Sequence, residues 1–249
     1  MQKAIFSQTW GGLGDNLCFS TLPERYNEIG IDFYLYEGNK YRNEEIYDLV
    51  WGHNPFVKGI TSETPNIGAN VGGVYFRKKG FYGENFSEVI ETTHGFKPKN
   101  KYPVIYYKPK LIASLQYKTI INLTSISGIF DINKLKHVVG ELSNGDDIVF
   151  TYYENHNKIN KNDSIHNNRH SFYDVGYEER VGVTDIFNLC DILHSAKKII
   201  TLYSGTCPLS SAIIGDDKKE CYIITNEEKR HSIKNDKSYY YDNLKYIYI

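Results

Sequence analysis

The chain has 249 residues, 41% of them hydrophobic and 24% charged, enough to bury a real core as one large domain or two small ones. Its 29 Lys and Arg balance 30 Asp and Glu, and a net charge of −1 leaves no electrostatic footprint for nucleic acid. Cys18, Cys190, Cys207 and Cys221 are widely spaced and three lie in apolar surroundings, which argues against a disulfide framework or zinc knuckle and for a reduced, cytosolic chain.

Ala4 to Ser7 predicts a first strand, too short for the apolar segment of a secretory signal, and no run approaches the ~18 apolar residues of a membrane span. Trp10-Gly11-Gly12-Leu13-Gly14-Asp15 follows as a glycine-rich turn. From Asn16 to Ile29 the apolar residues Leu17, Phe19, Leu22, Tyr26 and Ile29 share a helical face, with Pro23 ending or kinking an early turn. Phe33 to Tyr36 predicts a second strand, so the N-terminus reads as a βαβ unit with its glycine turn at the ligand-binding end of the first strand.

Gly12-x-Gly14 allows a dinucleotide reading, but Leu17 holds the third glycine position, and a plain tight turn is favoured over a nicotinamide site. Asp15 has two readings. A carboxylate directly after a glycine turn suits a general base held ionised by the helix dipole, and it equally suits a helix cap.

Residues 41 to 60 predict a short helix ending near Val50, a turn at Trp51 to Pro55 and a strand at Phe56 to Ile60. Gly68 to Gly73 is loop-like, Val74 to Phe76 a strand, and Phe86 to Thr93 a helix. Lys97 to Pro103 has linker composition. Six lysines and no acidic residue fall between Lys97 and Lys118, which reads as a solvated linker, with a seat for an anionic acceptor or anionic lipid headgroups as the alternative.

A second α/β pattern begins with a strand at Thr119 to Leu123 and the small polar turn Thr124 to Gly128, followed by a helix over Asp131 to Leu142 and a strand over Asp147 to Tyr153. Asn155 to Arg169 reads as a surface loop. His166 and His170 have the i, i+4 spacing of a metal pair, but no helix and no Cys or carboxylate partner accompanies them. After a strand at Phe172 to Val175, Thr184 is the expected cap of a helix whose Ile186, Leu189, Cys190 and Leu193 recur at helical spacing. Ile199 to Tyr203 reads as a central strand. Ser204-Gly205-Thr206 breaks it, and Pro208 suits the first turn of the next helix. A helix start presents N–H groups and partial positive charge, so this turn is a candidate phosphate site, with Ser204 and Thr206 adding hydroxyls; an ordinary βα turn looks the same. Cys221 to Ile224 and the alternating tail Leu244 to Ile249 complete the strands.

Two α/β halves imply two Rossmann-like domains facing across a cleft, residues 1–108 and 109–249. Gly12-Leu13-Gly14-Asp15-Asn16-Leu17 followed by Leu22-Pro23, together with the helix, strand and Ser-Gly turn of Thr184 to Ile214, resembles heptosyltransferase-like glycosyltransferases (glycosyltransferase family nine) of the GT-B fold. The resemblance implies a compact GT-B enzyme, bacterial or phage-type. It would transfer a hexosyl or heptosyl unit, with inversion and without metal, from a nucleotide-diphosphate sugar to a glycan hydroxyl in surface polysaccharide or lipopolysaccharide biosynthesis. Asp15 matches the family's base. The acceptor side falls to Gly12, Gly14 and Asn16, and the donor side to Ser204, Gly205 and Thr206 with Thr124 and Ser125. No cofactor is implied beyond the nucleotide sugar itself, and no Asp-x-Asp triplet is present. The acceptor is a glycan or lipid-linked glycan, the location cytoplasmic, compatible with peripheral contact at the inner membrane.

The chain departs from the family pattern at several positions. Pro23 lies eight residues after Asp15 where the family has about six, and Tyr203-Ser204-Gly205-Thr206-Cys207-Pro208 stands where the family has Asp-Ser-Gly-Pro-x-His. Lys134 is the nearest match to the family's phosphate-binding lysine. The alternatives are a non-catalytic sugar-nucleotide or glycan-binding protein of the same fold and a nucleotide-sugar epimerase.

Overall fold

The computed structural model describes residues 2–69, 85–123, 131–153, 179–226 and 240–249. It divides into two compact units, one of Met1–Lys108 with a segment ending at Asp242, the other of Pro109–Arg230 with Asn243–Ile249. Tyr240 to Asp242 thus belong to the first unit, where the sequence reading had left them with the second.

In the first unit β1 (Lys3–Ser7), β2 (Asp32–Tyr36), β3 (Val57–Thr61) and β4 (Ile67–Gly68) form an all-parallel sheet in the order β3-β2-β1-β4. The single helix expected after Asp15 is two: α1 (Leu13–Leu17) and α2 (Leu22–Glu28). Pro23 sits in the first turn of α2, where its fixed φ and missing N–H cost nothing, so the proline starts a helix rather than kinking one. Next, α3 (Glu44–Tyr47) runs into a π-helical turn, Asp48–Gly52. That turn buries Trp51 against Phe33 and Phe6, with ring centroids 6.4 and 5.8 Å apart. Further on, α4 (Phe86–Thr93) is capped by the Asn85 side chain, which accepts from Ser87 N–H.

Lys97 to Pro103 is exposed along much of its length, as expected of a solvated stretch, but it is tied to the first unit. The fully buried Glu91 carboxylate of α4 accepts from Lys99 N–H and Asn100 Nδ2–H, both at 2.7 Å, and lies 3.5 Å from Arg25 Nε. Lys99 Nζ pairs with Glu24 and Glu28, and Val104 N–H donates to Ser20 Oγ at 2.8 Å, so the stretch is strapped along α2 and α4.

In the second unit β5 (Thr119–Asn122), β6 (Ile148–Tyr153), β7 (Arg180–Val183), β8 (Lys198–Leu202), β9 (Glu220–Thr225) and β10 (Lys245–Tyr248) form a parallel sheet in the order β10-β9-β8-β5-β6-β7. Strand β8 is central, as its apolar run predicts. The core joins Ile121, Phe150, Ile200, Leu202 and Ile224 of the sheet to Leu135 and Val139 of α5 (Ile132–Leu142). Helix α6 (Ile186–Ser195) is capped by Asp185, whose carboxylate accepts from Asn188 N–H at 2.7 Å; Thr184 is not the cap. Helix α7 (Thr206–Ile214) follows β8 through the Ser204-Gly205 turn. The strands expected at Val74–Phe76 and Phe172–Val175, the 155–169 loop, the His166 and His170 pair, and the 124–128 turn lie outside the described residues.

Candidate functional site

In the first unit the site is built at the carboxyl end of β1. Gly12 is the N-cap of α1 in extended backbone (φ −73°, ψ 156°), and Asp15, at the third helical position, reaches back so that its Oδ2 accepts from Gly12 N–H at 3.2 Å. The cap reading of Asp15 is therefore realised. Asp15 as a residue is half-buried.

The two glycines are required for different reasons. A Cβ on Gly11 would meet the backbone of Lys40 to Arg42 at 3.0–3.1 Å, because Arg42 N–H donates to Gly11 O there at 2.9 Å. A Cβ on Gly12 would lie 2.6 Å from Asp15 Oδ2 and 3.8 Å from Arg42 Nη2. That places the Arg42 guanidinium beside the same loop as the carboxylate.

The three residues assigned to the acceptor do not face outward. Gly12 and Gly14 are buried, and Asn16 has no exposed surface. Asn16 Nδ2–H donates to Gly12 O (2.8 Å), while its Oδ1 accepts from Trp51 Nε1–H (2.7 Å) and Gln8 Nε2–H. Asn16 is thus a brace of the loop, not an acceptor contact. What the loop does present outward is Trp10, 51% exposed, with the exposed Arg42 nearby. The sequence reading passed over Gln8, Gly11, Arg42 and Trp51, of which only the Gly11-Gly12 pair carried a local signal.

In the second unit, the turn after β8 brings Ser204, Gly205 and Thr206 together at the strand's carboxyl end. Thr206 is almost fully buried, its Oγ1 lying 2.8 Å from Thr201 Oγ1 and 2.7 Å from Ser204 Oγ. The amide groups of the first turn of α7 are largely taken: Thr206 N–H donates to Ser204 Oγ (3.3 Å), Cys207 N–H to Ser204 O (3.0 Å) and Leu209 N–H to Gly205 O (3.4 Å), while Pro208 has none. Ser204 and Gly205 are half-exposed, and the Thr206 hydroxyl is internal wiring, a correction to its expected role as a direct contact. Thr124 and Ser125 lie outside the described residues. Lys134 lies in the first turn of α5 with its backbone N–H donating to the Asp131 cap at 3.1 Å, and as a residue it is exposed.

All four cysteines are buried free thiols, and burial pushes Cys190, Cys207 and Cys221 well above the usual thiol range, Cys221 to about 12, so those three stay protonated at neutral pH. Among the described residues no group of three or more His, Cys, Asp or Glu is placed to hold a metal ion, and no helix is long and apolar enough to cross a membrane.

No protein-family profile matches the sequence, and none of the curated proteins does. Solved structures do match. A glycosyltransferase family 9 protein from Veillonella parvula DSM 2008 superposes with a TM-score of 0.63 at 9% identity, covering 100% of this chain and 86% of that one. The fold is that of glycosyltransferase family nine. The Escherichia coli heptosyltransferase WaaC, solved with ADP, shares this glycosyltransferase family nine-like fold at a TM-score of 0.52 and 10% identity, over 99% of this chain and 91% of its own. The iron-containing dodecameric glycosyltransferase TibC from enterotoxigenic E. coli H10407 matches at 0.56 and 15% identity, covering 90% of this chain; the chain spans 57% of TibC.

Proposed function

We propose that this chain is a nucleotide-sugar-dependent glycosyltransferase, inverting and metal-independent, that acts in surface-glycan or lipopolysaccharide assembly on the cytoplasmic side. Asp15 takes the proton from the acceptor hydroxyl, and Ser204 and Gly205, at the start of α7, meet the diphosphate of the departing nucleotide. The observation that carries the reading is the carboxylate of the half-buried Asp15, bonded to a glycine loop at the carboxyl end of β1, in a chain whose fold matches glycosyltransferases across its length. WaaC was solved with ADP, which favours a nucleoside diphosphate as the common part of the donor.

Two experiments test this. UDP, GDP, ADP and CMP and their sugars are compared by thermal shift, where a ligand at about 100 times its Kd stabilises by about 2.7 kcal/mol. Asp15→Asn then keeps nucleotide binding while transfer falls by about two to four orders of magnitude. Transfer that survives the substitution rules out the mechanism. Tyr203, standing where the family pattern has Asp, favours one other reading, a binding protein of the same fold; it would saturate with a sugar nucleotide and release no product.

A further inference from the structure

A side chain that packs inside a fold gains little stability from being an amide. Burying one costs free energy that its hydrogen bonds only offset, and an apolar set replacing the amide together with its partners would be close to neutral. Asn16 is nevertheless a fully buried carboxamide, and its side chain links Gln8 and Trp51 on one side to the Gly12 carbonyl of the glycine loop on the other. Gln8 and Trp51 donate to its Oδ1, and this fixes the amide so that Nδ2–H points at Gly12 O, 2.8 Å away. Gly12 N–H in turn donates to Asp15 Oδ2. Gly11 and Gly12 are the residues with most conformational freedom to lose, so a loop made of them holds a carboxylate in place only if something else holds the loop.

We propose that Asn16, oriented by Trp51 and Gln8, is a positioning residue that sets the place of the Asp15 carboxylate through the Gly12 peptide. The inference rests on the reading of Asp15 as the base. It assigns Trp51, 35 residues downstream and far from any reacting atom in sequence, to the same machinery.

The test measures release of nucleoside diphosphate from ADP-glucose, UDP-glucose and GDP-mannose, with water as acceptor, by the wild type and by Asn16→Leu, Trp51→Phe, Gln8→Leu and Asp15→Asn. Trp51→Phe keeps a ring between Phe6 and Phe33 and deletes one donor. A misplacement of about 1 Å costs about 100-fold, so Asn16→Leu lowers kcat by roughly that factor and Trp51→Phe by about 10-fold, with donor KM within about twofold and a cooperative thermal transition retained. If Asn16→Leu does not fold, Trp51→Phe and Gln8→Leu decide. Folded variants that keep wild-type kcat while Asp15→Asn loses it overturn this inference alone, as does a loss of kcat that only tracks the unfolded fraction. Full turnover by Asp15→Asn, or no release from any donor by the wild type, overturns the base reading and this inference with it.

Discussion

The substitution Gly12→Ala separates the integrity of the fold from the placement of the carboxylate. Gly12 has extended backbone at φ −73° and ψ 156°, which alanine adopts without strain. The added Cβ lies 2.6 Å from Asp15 Oδ2 and 3.6 Å from its Cγ. Non-bonded carbon and oxygen rest at about 3.5 Å, so the carboxylate must retreat by about 1 Å and surrender its bond to Gly12 N–H. A side-chain end can rotate away, and alanine also lowers the entropy of the unfolded chain, so the melting temperature stays within a few degrees. On the proposed reading of Asp15 as base, turnover does not stay: a displacement of about 1 Å lowers kcat by about 100-fold. Gly11→Ala is the contrasting case. Its Cβ meets the backbone of Lys40 to Arg42 at 3.0–3.1 Å, atoms that cannot rotate aside, so it destabilises by about 1–3 kcal/mol. Differential scanning fluorimetry and donor turnover on both variants give the comparison. Wild-type kcat in a folded Gly12→Ala refutes the argument.

Glu91→Ala leaves Arg25 and two backbone N–H groups facing a buried hole and costs about 3–5 kcal/mol in chemical denaturation; a loss under about 1 kcal/mol denies Glu91 its role as strap. Asp185→Ala costs about 1 kcal/mol, while Thr184→Ala stays within about 0.5, and the reverse order assigns the cap to Thr184. Burial holds the His94 imidazole, whose Nδ1 lies 3.3 Å from Tyr26 Oη, down at about 4. Because the unfolded chain binds that proton at about 6.5, stability is complete above that pH and falls as pH drops toward 4, by up to about 3 kcal/mol; His94→Gln flattens this slope in urea titrations, and an unchanged slope refutes it.

Local signals were read well from the sequence. The apolar run of β8 and the proline at the third position of α7 each lie within a few residues of what they determine, and both emerge in the structure where the pattern places them. Partners distant in sequence were not legible. Lys97 to Asn100 has the composition of a linker, and nothing local says that Glu91 lies buried to receive its N–H groups. Asn16 looks like a ligand contact beside Asp15 until Trp51 is folded against it. Thr184 and Asp185 are both capping residues, and the choice falls on Asp185 because it takes the extended backbone (φ −157°, ψ 178°). Short β4 and β7 carry no periodicity at all, and only pairing with β1 and β6 makes them strands.

The path of the chain through Tyr240 to Asp242 bears on any attempt to exchange halves between proteins of this fold. Tyr241 has no exposed surface, sits edge-on to Phe86 at 6.5 Å and places its hydroxyl 4.0 Å from Cys18 Sγ, so the first unit is completed by a residue more than 200 positions further along the chain than Cys18. A fragment stopping at Lys108 would present an empty aromatic socket and aggregate. Chimaeras spliced there should graft the Tyr240–Asp242 piece from the same parent as the N-terminal half, and a short peptide bearing it, supplied in trans, is the natural reagent for rescuing the truncated one.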